Sequence, residues 1–545
     1  MAIFVVGFLA FFTVTGSTAA ASPQGSWDST PNHISATSPV PGTVYRSDVA
    51  IGDDGVTTFA WGGSDGLVIA TDVPGEGIHY DDPIAVPGSH PAPTIATGKD
   101  GSVVVASMAY NGSVWVTSRT SAGTFGPLEQ VSPGNSDSDS YSGGGTLEVS
   151  TARGFVSIAW IGTSGPVYTV QTSTRSPGGR FSTPVSLSPS ADIPGRDAGY
   201  LHLAMDRSGL ATVVWQQAEP GKHLILAATQ ISPGGSFRNP VTLSKVDAAP
   251  SLAISRSGTT IVGWAKQGTV DTFQYVTRTR SRSFSLPRER SFKGGAFTHA
   301  LTGMDISNDG TLTVTTVSSL GIEVLTRRPG KRFGPPVLIK ASLGEDTVYG
   351  GKLSMAPDGT VNVLLRVDPD AFGEYDVEVA TRLPGGEFAE PVQLASPGSV
   401  GADISSGPGG KATVTWLYGP GTYDFGDIDL AAVSTFPDDL YCENTSFRLG
   451  AFNPHRKSGT GRITAVAGAP GHLELLPSPL VKKAETDITG AGQVKLAVKA
   501  KGGALRKLKK AGSVTLTARV RYSPGLGCKT RTAKSRIKLV LGGKR

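Results

Sequence analysis

A glycine followed six residues later by the end of an apolar run recurs along most of this chain. The pairs are Gly55/Trp61, Gly101/Ser107, Gly154/Trp160, Gly209/Trp215, Gly258/Trp264, Gly310/Thr316, Gly359/Leu365 and Gly410/Trp416. The offset never changes, and five of the seven Trp occupy its second position. A second mark, an aromatic shortly before a Pro, recurs as Tyr80…Pro83, Phe125…Pro127, Phe181…Pro184, Phe237…Pro240, Phe284…Pro287, Phe333…Pro336 and Phe388…Pro391. Residues 203–244 show a whole unit: four short apolar runs separated by turns. A unit of about 50 residues made of four strands cannot bury both faces alone, so it must stack against its own copies.

The first mark occurs eight times and the second seven, and the missing partner lies at the other end of the chain. Residues 26–35 read SWDSTPNHIS, close to RFSTPVSLS at 180–188. The expectation is an all-β chain: an eight-bladed β-propeller over 22–437 whose last blade takes its outer strand from 26–35. Seven blades with a degenerate end repeat is the alternative. Closing the ring by pairing its two ends removes the exposed sheet edges that invite aggregation. The 71 Gly, 37 Pro and 2 Cys suit such a chain.

Within a unit the turns differ in kind. Strands one and two meet at Asp54–Gly55, Asp100–Gly101, Asp309–Gly310 and Asp358–Gly359, where Gly accepts the positive φ of a tight hairpin. Strands three and four meet at Pro177–Gly178, Pro233–Gly234, Pro329–Gly330 and Pro384–Gly385, which suits a type II turn. The Asp–Gly turns resemble the Asp-box turns of sialidase-type propellers, although the spacing to the Trp differs and no full Asp box is present. Over most of the chain the resemblance is to repetitive secreted bacterial propellers, and it implies the fold alone.

The ends have a different character. Residues 1–21 form an apolar run finishing in Ala19, Ala20 and Ala21, which resembles a secretory signal and predicts a secreted or cell-surface protein. Residues 438–545 lose the aromatic–Pro mark but keep strand alternation, which predicts a small β-sandwich. This segment is similar to basic Ig-like C-terminal modules of exported actinobacterial proteins. From Tyr441 onward there are 22 Lys and Arg against four acids, while the remainder holds 28 basic and 40 acidic residues. That asymmetry predicts separate partners, with the basic module on an anionic envelope polymer or lipid surface and no nucleic acid. Cys442 and Cys528 are expected to form one disulfide in an oxidising compartment. ALRKLKK (504–510) reads as a single helical turn.

The chemistry is sparse. No nucleophile elbow, zinc or nucleotide motif is present. Trp61, Trp160, Trp215, Trp264 and Trp416 share one register and read as interblade packing. The repeated Arg119, Arg175, Arg278, Arg327 and Arg382, each six residues before the blade aromatic, read as pairing between blades. The long second-to-third-strand loops and blade crossings share one face, and rigid scaffolds place binding groups on such loops. The ligand-binding candidates there are Tyr141, Asp368, Asp370, Glu374, Tyr375, Asp376, Tyr423 and Asp427. Asp137 and Asp139 could hold calcium, since Asp-x-Asp supplies hard oxygen ligands; no other cofactor is expected. The favoured function is a monomeric, noncatalytic binding or adhesion protein for a glycan or protein. The alternative is a glycoside hydrolase using paired loop carboxylates.

Overall fold

The computed structural model describes Trp27, residues 31–35 and 44, and residues 46–542 apart from 64–65, 75, 88–90, 99–100, 110–111, 121–123, 135–146, 165–166, 188–199, 220–221, 256, 267–271, 280–282, 292–299, 343–346, 369–374, 419–428, 436–446, 468–470, 489–491 and 525–530. Nearly all of the regular structure is antiparallel strand.

The first unit shows how the repeat folds. Strands Arg46–Ile51, Thr57–Gly63, Gly66–Val73 and Gly77–Tyr80 form one antiparallel sheet in chain order. Five more four-stranded sheets of the same order follow as far as Ala341. A seven-stranded sheet takes up the rest of the ring. In it the 15-residue strand Val392–Ser406 pairs through its first part with Tyr375–Arg382 and through its second with Ala412–Tyr418. That strand is thus the outer strand of one quartet and the inner strand of the next. Asp429–Ser434 follows, and the N-terminal strand Asn32–His33 lies outside it with Asn32 opposite Ala432. The first strand of each quartet lies beside the first strand of the next, and Arg46–Ile51 also lies beside Val392–Ser406. This is the ring of a β-propeller.

The turn chemistry explains why the marks recur. Gly310 has φ +84°, a conformation that costs other residues steric strain. Beside it the Asp309 carboxylate accepts from the Thr311 amide at 2.9 Å, the side-chain-to-backbone bond that favours Asp in such turns. Six residues after each turn glycine the chain reaches the blade interface. There Trp61, Trp160, Trp215, Trp264 and Trp416 are at most 3% exposed. Each lies in a core cluster that joins two neighbouring quartets, for example Trp215 with Ala159, Ile161 and Val170. None of the five offers a free ring face.

The repeated arginines also act between blades. Arg175 lies 4.7 Å from the Phe181 ring and donates to Ser118 Oγ of the preceding quartet at 3.0 Å. Arg278 donates to Thr212, and Arg382 to Thr326 and Thr313, again one quartet back. Where the ends meet, Ile34 and Val44 are buried with Trp61, Leu417 and Leu430. There the Leu430 amide donates to Ser35 Oγ at 2.7 Å.

After residue 446 a three-stranded sheet (Phe447–His455, Thr460–Ala467, Gly492–Val498) and a four-stranded sheet (Ala484–Ile488, Gly471–Leu475, Ser513–Pro524, Arg531–Val540) enclose one core. The stretch expected to make a single turn is instead a ten-residue helix, Gly502–Ala511. It is longer because Ala504 and Leu508, four residues apart, are both buried, and Gly512 ends it with φ +68°. Cys442 and Cys528 lie outside the described residues.

Candidate functional site

The inner strands surround a cavity of about 1090 Å³. It reaches the ends of the second strands at Met108, Arg366 and Leu417, the side from which the long connections depart. Its wall carries one set of equivalent positions from successive quartets: Asp48, Thr94, Glu148, His202, Ser251, Gly303, Lys352 and Asp403. Their equivalence is set by register. Each is paired with the second-strand residue immediately before the hexad position: Ala60, Ala106, Ala159, Val214, Gly263, Thr315, Leu364 and Thr415. The cavity therefore has a single polar belt in which three carboxylates, a lysine and a histidine face common space.

Ring closure couples Asp48 to Asp403, because it makes the last inner strand a neighbour of the first. Lys352 Nζ forms an ion pair with Asp403, and Asp403 also accepts a hydrogen bond from the Ile404 amide. Asp48 and Asp403 share a side-chain hydrogen bond. Burial, reinforced by the Asp403 carboxylate, holds the Asp48 carboxyl well above the usual carboxylate range. Burial pushes Asp403 the same way, but the Lys352 ammonium and the bond from Asp48 outweigh it and keep Asp403 below its ordinary value. The pair titrates as a unit, with Asp48 holding a proton more tightly than Asp403, whose counter-ion is Lys352. Burial disfavours the Lys352 ammonium, yet the carboxylates around it raise its pKa. Its side chain is 55% exposed, against 12% for Asp403, so this pair borders open cavity space rather than dry core.

Glu148 lies farther round the belt, with His202 Nδ1 3.9 Å from its carboxylate. Burial raises Glu148 to about 7; Lys352 opposes the rise and Asp403 adds to it. Two acids of the inner strands, Asp48 of the cavity wall and Asp305 outside it, also brace the ring. Asp48 accepts from the Ile95 amide of the next inner strand at 2.7 Å, and Asp305 accepts from the Met355 amide of its own neighbour at 3.0 Å. Burial raises Asp305 to about 6, against the pull of the Ile306 and Met355 amides.

The belt was missed in the sequence. Its signal is a charged residue seven positions before the turn glycine (six before Gly154), where other repeats carry Thr, Ser or Gly. Of the loop candidates, Tyr141, Asp370, Glu374, Tyr423 and Asp427 lie outside the described residues, as do Asp137 and Asp139. Asp368 ends strand Val361–Asp368 and is 1% exposed. Tyr375 and Asp376 begin the following strand, and the guanidinium of Arg366, a cavity-wall residue, lies 5.7 Å from the Tyr375 ring. Tyr375 is therefore the loop candidate that the structure connects to the cavity. Among the described residues no group of three or more His, Cys, Asp or Glu is arranged to hold a metal ion.

The chain matches no protein-family model and no curated protein. Among solved structures it is similar to the BP39L lectin from Burkholderia pseudomallei, with 14% identity and a TM-score of 0.45, covering 65% of this chain and 99% of that one. It is also similar to a copper-bound fungal alcohol oxidase, with 10% identity, a TM-score of 0.41, and 91% and 99% coverage. A third is the NanB sialidase from Streptococcus pneumoniae, with 11% identity, a TM-score of 0.35, and 76% and 94% coverage.

Proposed function

We propose that this protein is a noncatalytic binding protein whose eight-bladed propeller takes a hydroxyl-rich glycan unit in the axial cavity. The observation that carries the reading is the single polar belt. It sets donors and acceptors around one space: the Thr94 and Ser251 hydroxyls, the Asp48, Glu148 and Asp403 carboxyls, Lys352 and His202. The Lys352 and Asp403 charges compensate each other, and the remaining polar groups of the belt can hydrogen-bond the hydroxyls of a neutral polyol. The volume is of the size that small-ligand sites take. Arg366 and Tyr375 extend the site toward the loop face, where a ring face can stack on the next sugar. In this reading residues 1–21 direct export, 22–437 form the propeller and 438–545 a second domain.

A second reading rests on one observation. A carboxylic acid raised to about 7, Glu148, shares the cavity with an ionised carboxylate, Asp403. A glycoside hydrolase needs an acid and a base or nucleophile of this kind. The test of both is a glycan array probed with the full-length chain, with calcium and with chelator, followed by assay of released sugar on each hit. Binding without release, weakened by Asp403→Asn, supports the binding protein. Release that is lost in Glu148→Gln while binding persists overturns it in favour of the hydrolase. Loss of binding in chelator would transfer the site from the belt to the acidic loops.

A further inference from the structure

We infer that the outward face of the C-terminal four-stranded sheet binds a linear phosphate polyanion, independently of the axial cavity. Strands Ser513–Pro524 and Arg531–Val540 are paired with Arg519 directly opposite Lys534, Thr517 opposite Arg536 and Thr515 opposite Lys538. Strand alternation sends Leu516, Ala518, Val520, Ile537 and Leu539 into the core. The same alternation leaves Arg519, Lys534, Arg536 and Lys538 exposed together on the other face.

This arrangement works against the isolated fold, since like charges directly opposite across a strand pair are destabilising. The acids of the sheet do not relieve it. Glu474 and Glu485 lie on the other two strands and are engaged by Lys483, with Arg521 also 3.8 Å from Glu474. Among the described residues no acid forms an ion pair with Arg519, Lys534, Arg536 or Lys538. Cations on an edge strand can serve simply to block edge-to-edge pairing. That job requires charge on Arg531–Val540 alone, yet Arg519 is on the strand inside it.

The shape of the patch selects the partner. Outward side chains along one strand are about 6.7 Å apart, twice the rise per residue, so Lys534, Arg536 and Lys538 form a row with Arg519 beside it. A linear polyanion lying along the strand meets these cations in turn, and the guanidiniums can grip phosphate oxygens bidentately. The other outward residues at the paired positions of the two strands are Ser513, Thr515, Thr517, Arg521, Thr532 and Val540. The two paired strands carry no outward aromatic on which a base would stack, unlike single-strand nucleic-acid sites, and no exposed apolar side chain to enter a bilayer. A phosphate chain without bases fits it best.

The test measures binding of labelled inorganic polyphosphate to the full-length protein by fluorescence anisotropy across a salt series. Single-stranded oligo(dT) and phosphatidylglycerol vesicles are the competing probes. The variant Arg519→Gln/Lys534→Gln/Arg536→Gln/Lys538→Gln is compared with Arg506→Gln/Lys507→Gln/Lys509→Gln/Lys510→Gln, which removes as many exposed charges from the helix. The sheet variant is expected to lose at least tenfold in affinity and to flatten the plot of log affinity against log salt by about 3, roughly 0.7 per lost phosphate contact. The helix variant should lose about twofold at most. A milder pair, Lys534→Gln/Lys538→Gln, should lose about threefold or more and keeps the test open if the fourfold change disturbs folding. Equal losses in the sheet and helix variants would overturn the proposal, as would absence of polyphosphate binding at low salt. Tighter binding of oligo(dT) or vesicles than of polyphosphate would overturn it in favour of those partners.

Discussion

Replacing Lys352 by Met removes the ammonium that pairs with Asp403 in the axial belt without changing its shape much. In the wild type the Lys352 ammonium is the counter-ion of Asp403 and holds its carboxyl below the ordinary value. Breaking a fully buried pair in this way costs about 3–5 kcal/mol, because the surviving charge is left uncompensated. Here the Lys352 side chain is 55% exposed, so solvent screening reduces that figure. We expect a loss of about 1–3 kcal/mol at pH 7.5. The sign of the pH dependence follows from linkage. Asp403 is held below its ordinary value in the folded protein, so its contribution is present above the unfolded carboxylate pKa of about 3.9. It is lost as pH falls through the depressed folded value. In Lys352→Met, Asp403 takes up a proton readily, so the gap between variant and wild type must shrink as pH falls from 7.5 to 4. Urea denaturation of both proteins at several pH values measures it. Equal stability at pH 7.5, or a gap that widens toward pH 4, would refute the belt as an electrostatic unit.

Other outcomes follow from the same structure. Glu148 binds its proton more tightly in the folded state, at about 7, so folding loses stability as pH rises from about 4 to 7. Glu148→Gln should therefore be more stable than wild type by about 2 kcal/mol at pH 8 and nearly equal to it at pH 4, as read by thermal denaturation. Trp215→Ala empties an interblade position and should cost about 3–5 kcal/mol in urea titration. Arg382→Ala loses the Thr326 and Thr313 bonds and the Phe388 ring face, worth about 1–2 kcal/mol in the same titration. Lys at this position should not restore it, because an ammonium cannot reach both Thr acceptors from one planar group. Ile34→Asp buries a charge among Trp61, Val44 and Leu430; limited proteolysis should then cut before Arg46 faster than in wild type.

The ring was readable because its cause is local. A turn glycine with positive φ, a fixed hexad and a large side chain at the end of that hexad are features of contiguous residues, and in each unit they leave the same interface. The helix at Gly502–Ala511 was underread because Ala504 and Leu508 gain their burial from the sheets around them. The acids chosen from sequence were those crowded together in loops. Among them Asp368 is instead buried at a strand end, while the acids that meet in space, Asp48, Glu148 and Asp403, stand singly in separate repeats.

Strand periodicity alone specifies which residues of a repeat face a neighbour and which face the axis, since alternation and turn geometry act over a few residues. It carries no information on which axial residues touch. Ile51 donates its amide to Ser405 Oγ across a separation of 354 residues, and Asp48 meets Asp403 at that same seam. Only closure of the ring brings the first and last inner strands together. The coupling of Asp48 to Asp403 depends on a distance that closure sets.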